Sequence, residues 1–280
     1  MNQTVNPLRQ YFRRPSIFLR LPSGGQYWPD QSLQPTPNGE LPVFPMTAID
    51  EITYRTPDAL FNGEAVVSVI QSCVPNIRNA WEMPATDLNA ILVAIRIASY
   101  GHNMEVSAKC PACGTEGDYS MDLRTVLDQL QAPDYSHGIT HGDLEFLFQP
   151  ISYRHQHQAN IAQFEEQKTI QMVPVSDLPD DEKIKRLNDA LRRITELTVM
   201  AVKNNLAGIR TPNAIVTEPE FIEEFLKNSE RELFERIRDH VIELRAASEF
   251  RPLKLTCENC KHEHEQPLTL DMASFFGVAS

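Results

Sequence analysis

Four cysteines in two matched pairs carry the clearest chemistry in the chain. The first pair lies in Val106-Ser-Ala-Lys-Cys110-Pro-Ala-Cys113-Gly, the second in Leu253-Lys-Leu-Thr-Cys257-Glu-Asn-Cys260-Lys. Two thiolates two residues apart on a tight turn face one metal ion, and a second such pair completes a tetrahedral shell with no open position. With no place for water or substrate, such a zinc is structural, and its binding free energy becomes folding free energy. The spacing therefore predicts a structural Zn2+ held by Cys110, Cys113, Cys257 and Cys260. Three other readings stay open: a disulfide within each knuckle, a thioredoxin-like redox pair, and coincidence. A redox Cys-x-x-Cys usually follows a strand and opens a helix in a βαβ unit, which neither knuckle does. His262 and His264 stand close enough in sequence to replace a cysteine, although an exposed ribbon strand is their expected place.

The elements that must position these thiols also repeat. Each knuckle follows a short alternating stretch that reads as a strand. Beyond the first come Tyr119-Ser-Met-Asp122-Leu123 and then Val126-Leu127; beyond the second come Pro267-Leu-Thr-Leu270-Asp271-Met272 and then Phe275-Phe276. Strand, knuckle, strand and an Asp-led apolar turn thus occur twice, as a zinc ribbon requires. Joining the knuckles makes everything between them one long insertion, and loop-closure entropy grows only logarithmically with its length. The fifth cysteine, Cys73, lies in an apolar helical pattern, where a free thiol behaves as a small hydrophobe. An odd cysteine count and an N-terminus without an apolar signal core point to synthesis in a reducing cytoplasm.

Composition narrows the classes. Charged residues are 23% and hydrophobic ones 41% of the 280 residues, ordinary for a globular protein. The net charge of −12 argues against a general nucleic-acid or anionic-membrane binder. No apolar run approaches the ~20 residues of a membrane span.

Residues 1–45 hold eight prolines and read as an extended arm. Arg13-Arg-Pro-Ser-Ile-Phe18-Leu-Arg-Leu21 alternates like an edge strand, and Tyr27, Trp28 and Phe44 are costly to leave in water. The arm is expected to lie on its own domain or on a neighbour, with Arg9, Arg13, Arg14 and Arg20 making it locally basic; deleting residues 1–40 should leave the fold intact but weaken association with partners. Residues 46–103 read as helical, with Thr56 as N-cap, Pro57 at the first helical position and a break at Pro75. A further helix follows with Leu88, Ile91, Leu92 and Ile95 on one face, widened by Val93 and Ile97, and Gly101 as its C-terminal cap. Arg96 on this apolar helix is expected in an ion pair.

The insertion begins with a short helix from Leu123 to Leu130, then a hairpin over 139–153 turning at His141-Gly-Asp. His137, His141, His155 and His157 read as surface histidines. Residues 154–171 are a polar helix. The cleanest amphipathic helix opens at Asp180-Asp181, with Ile184, Leu187, Leu191, Ile194, Leu197 and Ala201 on one face and a basic run on the other. Thr217-Glu-Pro-Glu220 and Ser229-Glu-Arg-Glu232 match capping boxes that start two more helices. No phosphate loop, nucleophile elbow or His-Glu-x-x-His is present in the sequence, so no catalytic residues are assigned.

Several stretches together carry a family likeness: Gly39-Glu-Leu-Pro-Val-Phe-Pro-Met46-Thr, Pro57-Asp-Ala-Leu60-Phe-Asn-Gly63, Ile70-Gln-Ser-Cys73-Val-Pro75, Asp87-Leu-Asn-Ala, Ile95-Arg-Ile-Ala-Ser-Tyr-Gly101 and Cys110-Pro-Ala-Cys113-Gly. The chain resembles the T4-like baseplate proteins of contractile-tailed bacteriophages, which include central-hub components and hub-assembly factors. The likeness implies a non-enzymatic structural or assembly protein, located in the virion tail baseplate, whose partners are other tail proteins. It carries over only the knuckle cysteines as functional positions.

The expected fold is α+β and mainly α-helical. An extended arm (1–45) precedes a helical domain (46–103); a split four-cysteine zinc ribbon (104–122 and 251–270) closes an inserted hairpin and helical domain (123–250), followed by a tail (271–280). A zinc-ribbon adaptor of a nucleic-acid machine would gather basic residues around the knuckles. Lys109, Lys254 and Lys261 are outnumbered there by Glu105, Glu116, Asp118, Glu258, Glu263 and Glu265. A redox enzyme would need a lone reactive pair.

Overall fold

The computed structural model describes residues 6–54 and 63–268. The expectations for Thr56, Pro57 and the turn led by Asp271, and the tail over 271–280, lie outside these residues. Among the described residues are eight α-helices and ten strands in small antiparallel sheets, an α+β fold. The chain clusters into two compact units: residues 1–80, 87–131 and 249–280 form the first, 81–86 and 132–248 the second.

In unit 1, β1 (Ile17–Arg20) pairs antiparallel with β2 (Glu40–Val43). Alternation sends Leu19, Leu41 and Val43 into the core and leaves Phe18 in solvent. α1 (Ala48–Tyr54) and α2 (Glu64–Cys73) follow, and α3 (Ala85–Tyr100) passes through the core. Ala90 through Ile95 are all buried, so α3 is covered on its whole circumference, and Gly101 closes it with a φ of 86°. The guanidinium of Arg96 lies over the Tyr100 ring, 4.6 Å from its centroid.

The proline-rich segment is stitched into this unit by two buried polar nodes. Asp87, in the first turn of α3, accepts from the Ser23 amide (2.9 Å), the Ser23 hydroxyl (2.5 Å) and Trp28 Nε1 (2.9 Å). Burial raises its carboxyl above the usual range, against the pull of Ser23 and Trp28. Asp50 accepts from Arg13, Ser72 and Thr47, while Arg13 also donates to the carbonyls of Pro45 and Ser72. Arg13 is therefore an internal clamp rather than a solvated charge. An arm removable without loss of fold does not survive this geometry, because deletion would strand buried acceptors on α1 and α3. Thr47 and Asp50 also bond reciprocally as a capping box that starts α1. Cys73 is fully buried, and desolvation pushes its thiol up to about 12, as expected of an inert hydrophobe.

β3 (Asn103–Lys109) and β4 (Glu116–Asp122) form one hairpin, and β4 runs into α4 (Leu123–Gln129). α4 clusters with unit 1, although the sequence placed it in the insertion. β9 (Leu253–Thr256) and β10 (Glu263–Gln266) form the second hairpin of this unit.

Unit 2 is built on a four-stranded sheet. β5 (Ile139–His141) and β6 (Leu144–Phe148) are the expected hairpin; β7 (Leu206–Arg210) and β8 (Ile215–Val216) complete the order β5-β6-β7-β8. α5 (Tyr153–Met172), α6 (Asp180–Asn204), α7 (Pro219–Asn228) and α8 (Arg231–Ala247) supply the helices. Phe146, Phe148, Leu206, Ile209, Ile222, Leu226, Ile237 and Val241 share one apolar cluster. The capping boxes expected at Thr217 and Ser229 are not made. Glu218 and Glu230 take the N-cap positions instead. Proline fits the first helical position, so Pro219 moves the start of α7 one residue on. The Ser229 hydroxyl donates back to the Leu226 carbonyl and closes α7.

Candidate metal centre

The two hairpins bring all four knuckle cysteines to one point. Their sulfurs lie within 4.8 Å of one another. Cys110 Sγ is 3.7 Å from Cys260 Sγ, and Cys113 Sγ is 3.7 Å from Cys257 Sγ, across 150 and 144 residues of chain. A disulfide needs about 2.05 Å. Four thiolates about 2.3 Å from a central zinc stand about 3.8 Å apart at tetrahedral angles. The donor set therefore fits a closed four-sulfur metal shell, and each of these short approaches joins one knuckle to the other.

Backbone geometry explains the convergence, and it is the same in both knuckles. The Cys110 amide donates to the Thr115 carbonyl and the Gly114 amide to the Cys110 carbonyl; the Cys257 amide donates to His262 and the Lys261 amide to Cys257. Each turn needs a left-handed residue after its second cysteine. Gly114 supplies one at φ 72°, and Lys261 the other at φ 60°. The residue two before each first cysteine points inward: Ala108 and Leu255 are both buried, with Cys110 and Cys257 beside them, while Cys113 and Cys260 are exposed. The pleat's period of two puts these residues on one face of each hairpin.

Two polar residues tie the knuckles together. Asn259 Nδ2 donates to Thr115 Oγ1 (3.1 Å) and lies 3.9 Å from Cys113 Sγ. Thr115 Oγ1 is 3.3 Å from Cys113 Sγ, and the Thr115 hydroxyl, helped by its amide, draws that thiol down to about 6. Cys260 moves the other way: the His262 amide pulls its thiol down, but Cys113 first, then partial desolvation and the Cys110 and Cys257 sulfurs, outweigh it and push it up to about 12. Anionic sulfurs held this close oppose each other's ionisation, which a bound cation would relieve. When bound, such an ion would supply a four-way cross-link and no catalytic position.

The sequence singled out the four cysteines that converge here but not Asn259 or Thr115. Their signal was available in the polar side chains within and just after the knuckles, though not which would cross. His262 and His264 stack on the ribbon, ring centroids 6.2 Å apart, and among the described residues the cluster able to hold a metal comprises the four cysteines. His137 bonds Asp134 and His155 bonds Ser152, both at exposed positions. His157 packs against the Trp81 and Tyr153 rings instead of lying free in solvent.

No described helix is long and apolar enough to cross a membrane. No curated protein and no solved structure matches the chain. The family model of the T4 bacteriophage base plate proteins matches residues 16–277, which takes in the Asp87 node, both knuckles and the whole insertion, and leaves out Arg13 of the Asp50 node. The ribbon, its insertion and the segment before them are thus parts of one continuous family sequence, and the chain belongs to the T4 bacteriophage base plate protein family.

Proposed function

We propose that this chain is a non-enzymatic component or assembly factor of the baseplate's central hub, acting by contact on a zinc-stabilised scaffold. The observation that carries the zinc reading is the meeting of four sulfurs from two distant knuckles at tetrahedral spacing. A redox role would need an isolated pair, whereas here each knuckle's sulfurs stand against the other's. The nucleic-acid reading gains nothing from a ribbon on which acidic side chains outnumber basic ones.

Contact with other tail proteins is supported by apolar side chains left in solvent. Ile184 and Leu191 on the apolar stripe of α6 are 58% and 55% exposed, and Leu8, Tyr11 and Phe12 near the start of the chain are also exposed. Exposed apolar groups grouped on one element mark interaction surfaces more often than isolated ones do.

The test is metal content by elemental mass spectrometry, with Cys110→Ser in parallel, followed by complementation of tail assembly by each form. About one zinc per chain, lost in the variant along with assembly, is the expected result. A metal-free wild type whose thiols label without a chelator would overturn the zinc scaffold. Normal assembly with a chain stripped of metal would overturn its role in the hub.

A further inference from the structure

We propose that the start of one chain docks into a cavity of a second copy, so that copies associate head to tail. The docking element is a 3-10 turn over Pro7–Tyr11, capped by the Asn6 side chain, which accepts from the Leu8 amide (2.9 Å). No residue of the turn is buried. Side chains three apart eclipse in such a turn, so Leu8 and Tyr11 share one face. They are 61% and 77% exposed, and Phe12 beside them is 57% exposed. Large apolar side chains grouped in this way mark a contact surface.

The receiving cavity lies in the same unit of the fold. Its volume is about 400 Å³, in the range of pockets that bury a ligand. Trp28, Pro29, Leu33 and Pro35 supply apolar wall, and Asp30 is its one charged lining residue. The walls are set before anything binds. The Trp28 indole is fixed on Asp87, and Leu33 bridges Ile77. Tyr27 and Gln31 hold left-handed φ angles of 64° and 68° without being glycine. Such backbone persists only where the surrounding contacts over-determine it. Preformed walls lower the ordering cost of docking.

Geometry and charge point to a second copy as the occupant. Arg13 is clamped to Pro45 and Ser72 at the Val43 end of the β1–β2 hairpin, whereas the cavity is lined by Leu21 and Leu41 near the other end. The clamp holds the turn away from its own chain's cavity, and its apolar face stays in solvent. A second copy brings the missing half with no clamp to break. Arg13 and Arg20 are already paired, with Asp50 and Glu40. Arg9 on the turn and Asp30 on the cavity have no ion-pair partner among the described residues. Leu8 and Tyr11 entering the cavity remove apolar area from water. Arg9 then meets Asp30 at the rim, a pair that orients docking more than it strengthens it. Turn and cavity are different patches, so the contact is heterologous and continues from copy to copy, closing into a ring or running on.

The proposal commits the exposed start of the chain to a second copy and depends on neither the metal nor the hub, so either reading can fail alone. The test is sedimentation velocity of the full-length protein across a concentration series, in which the wild type is expected to grow in size. Leu8→Ser with Tyr11→Ser is expected to stay monomeric. Asp30→Arg, which sets like charge against Arg9, is expected to associate about tenfold more weakly. All three positions are exposed, so metal content and melting should not move. Arg9→Glu combined with Asp30→Arg should restore wild-type association. Mixing the Leu8→Ser, Tyr11→Ser chain, which keeps its cavity, with Asp30→Arg, which keeps its turn, should give a one-to-one dimer. A wild type that stays monomeric, association indifferent to these changes, no rescue by the charge swap, or no dimer in the mixture would each overturn the proposal.

Discussion

The ribbon hairpins of unit 1 and the four-stranded sheet of unit 2 both order antiparallel strands, but by different means. β3–β4 and β9–β10 are separate two-stranded sheets that bury few side chains, chiefly Ala108, Leu255 and two of the cysteines. Two-stranded sheets are marginal alone. The sheet β5-β6-β7-β8 instead shares an apolar cluster with α6, α7 and α8. On the proposed metal reading, one region would depend on a four-sulfur cross-link, the other on area removed from water. On that reading the knuckles would substitute for a core where the hairpins bury few side chains of their own.

Cys257→Ser should break the comparison most sharply. It removes one sulfur from the shell, and with it a metal contribution on the order of 10 kcal/mol in small zinc domains. The expected outcome is loss of bound metal and of amide protection in β3, β4, β9 and β10 by hydrogen exchange, while β6 and β7 stay protected. Equal loss of protection in β6 and β7 would show that the two regions do not have separate supports. Phe146→Ala is the reciprocal change. Phe146 is fully buried in the unit 2 cluster, and its truncation should cost about 4 kcal/mol there, read as a lower unfolding midpoint with metal content unchanged.

Asp87→Ala sharpens the picture within unit 1. It leaves the Ser23 amide, the Ser23 hydroxyl and the Trp28 indole without their shared acceptor, a loss of about 3 kcal/mol. Trp28 fluorescence should shift to the red, as its ring is freed toward water. If Asp87→Ala melted like the wild type, the proline-rich segment would be a detachable arm after all.

What the sequence made legible follows the range of the forces involved. The cysteine spacing and the period of two before each knuckle were visible because they are local. α3 was legible too: its apolar run over 90–95 is buried throughout, and Gly101 takes the left-handed cap. Arg13 and Asp87 were not legible as partners of Ser72 and Ser23, since nothing local distinguishes a buried clamp from a solvated charge before the chain has folded. The stripe on α6 was read correctly as apolar, yet only Ala190 and Val202 of that helix are buried. A stripe shows which face is apolar, not whether the chain has anything to set against it. β7 and β8 were missed for a related reason: five and two residues long, they take their order from their neighbours, β7 from β6 and β8 from β7.

The smallest expected effects separate the two regions by chemistry rather than by size. Asn259→Ala removes the bond to Thr115 across the knuckles, and outer-shell losses of this kind weaken metal affinity about tenfold, read by competition with a chelator. Its counterpart in unit 2 is a pH effect. Hydrogen bonds from Lys203 and Lys227, with the charge of Lys203, hold Glu223 down to about 2 from 4.5. A carboxyl whose native pKa is depressed contributes stability that is fully present above its unfolded value and is lost as pH falls from there toward the native one. Wild-type unit 2 should therefore lose stability as pH drops from 4.5 to about 2, and Glu223→Gln should flatten that part of the decline, read as urea midpoints across the window. Because the lysines and Glu223 stay partly in solvent, the flattening should shrink in high salt. A decline in Glu223→Gln as steep as the wild type's would mean that the acid sensitivity of unit 2 arises elsewhere, and that this ion cluster is surface ornament on a fold held by its apolar core.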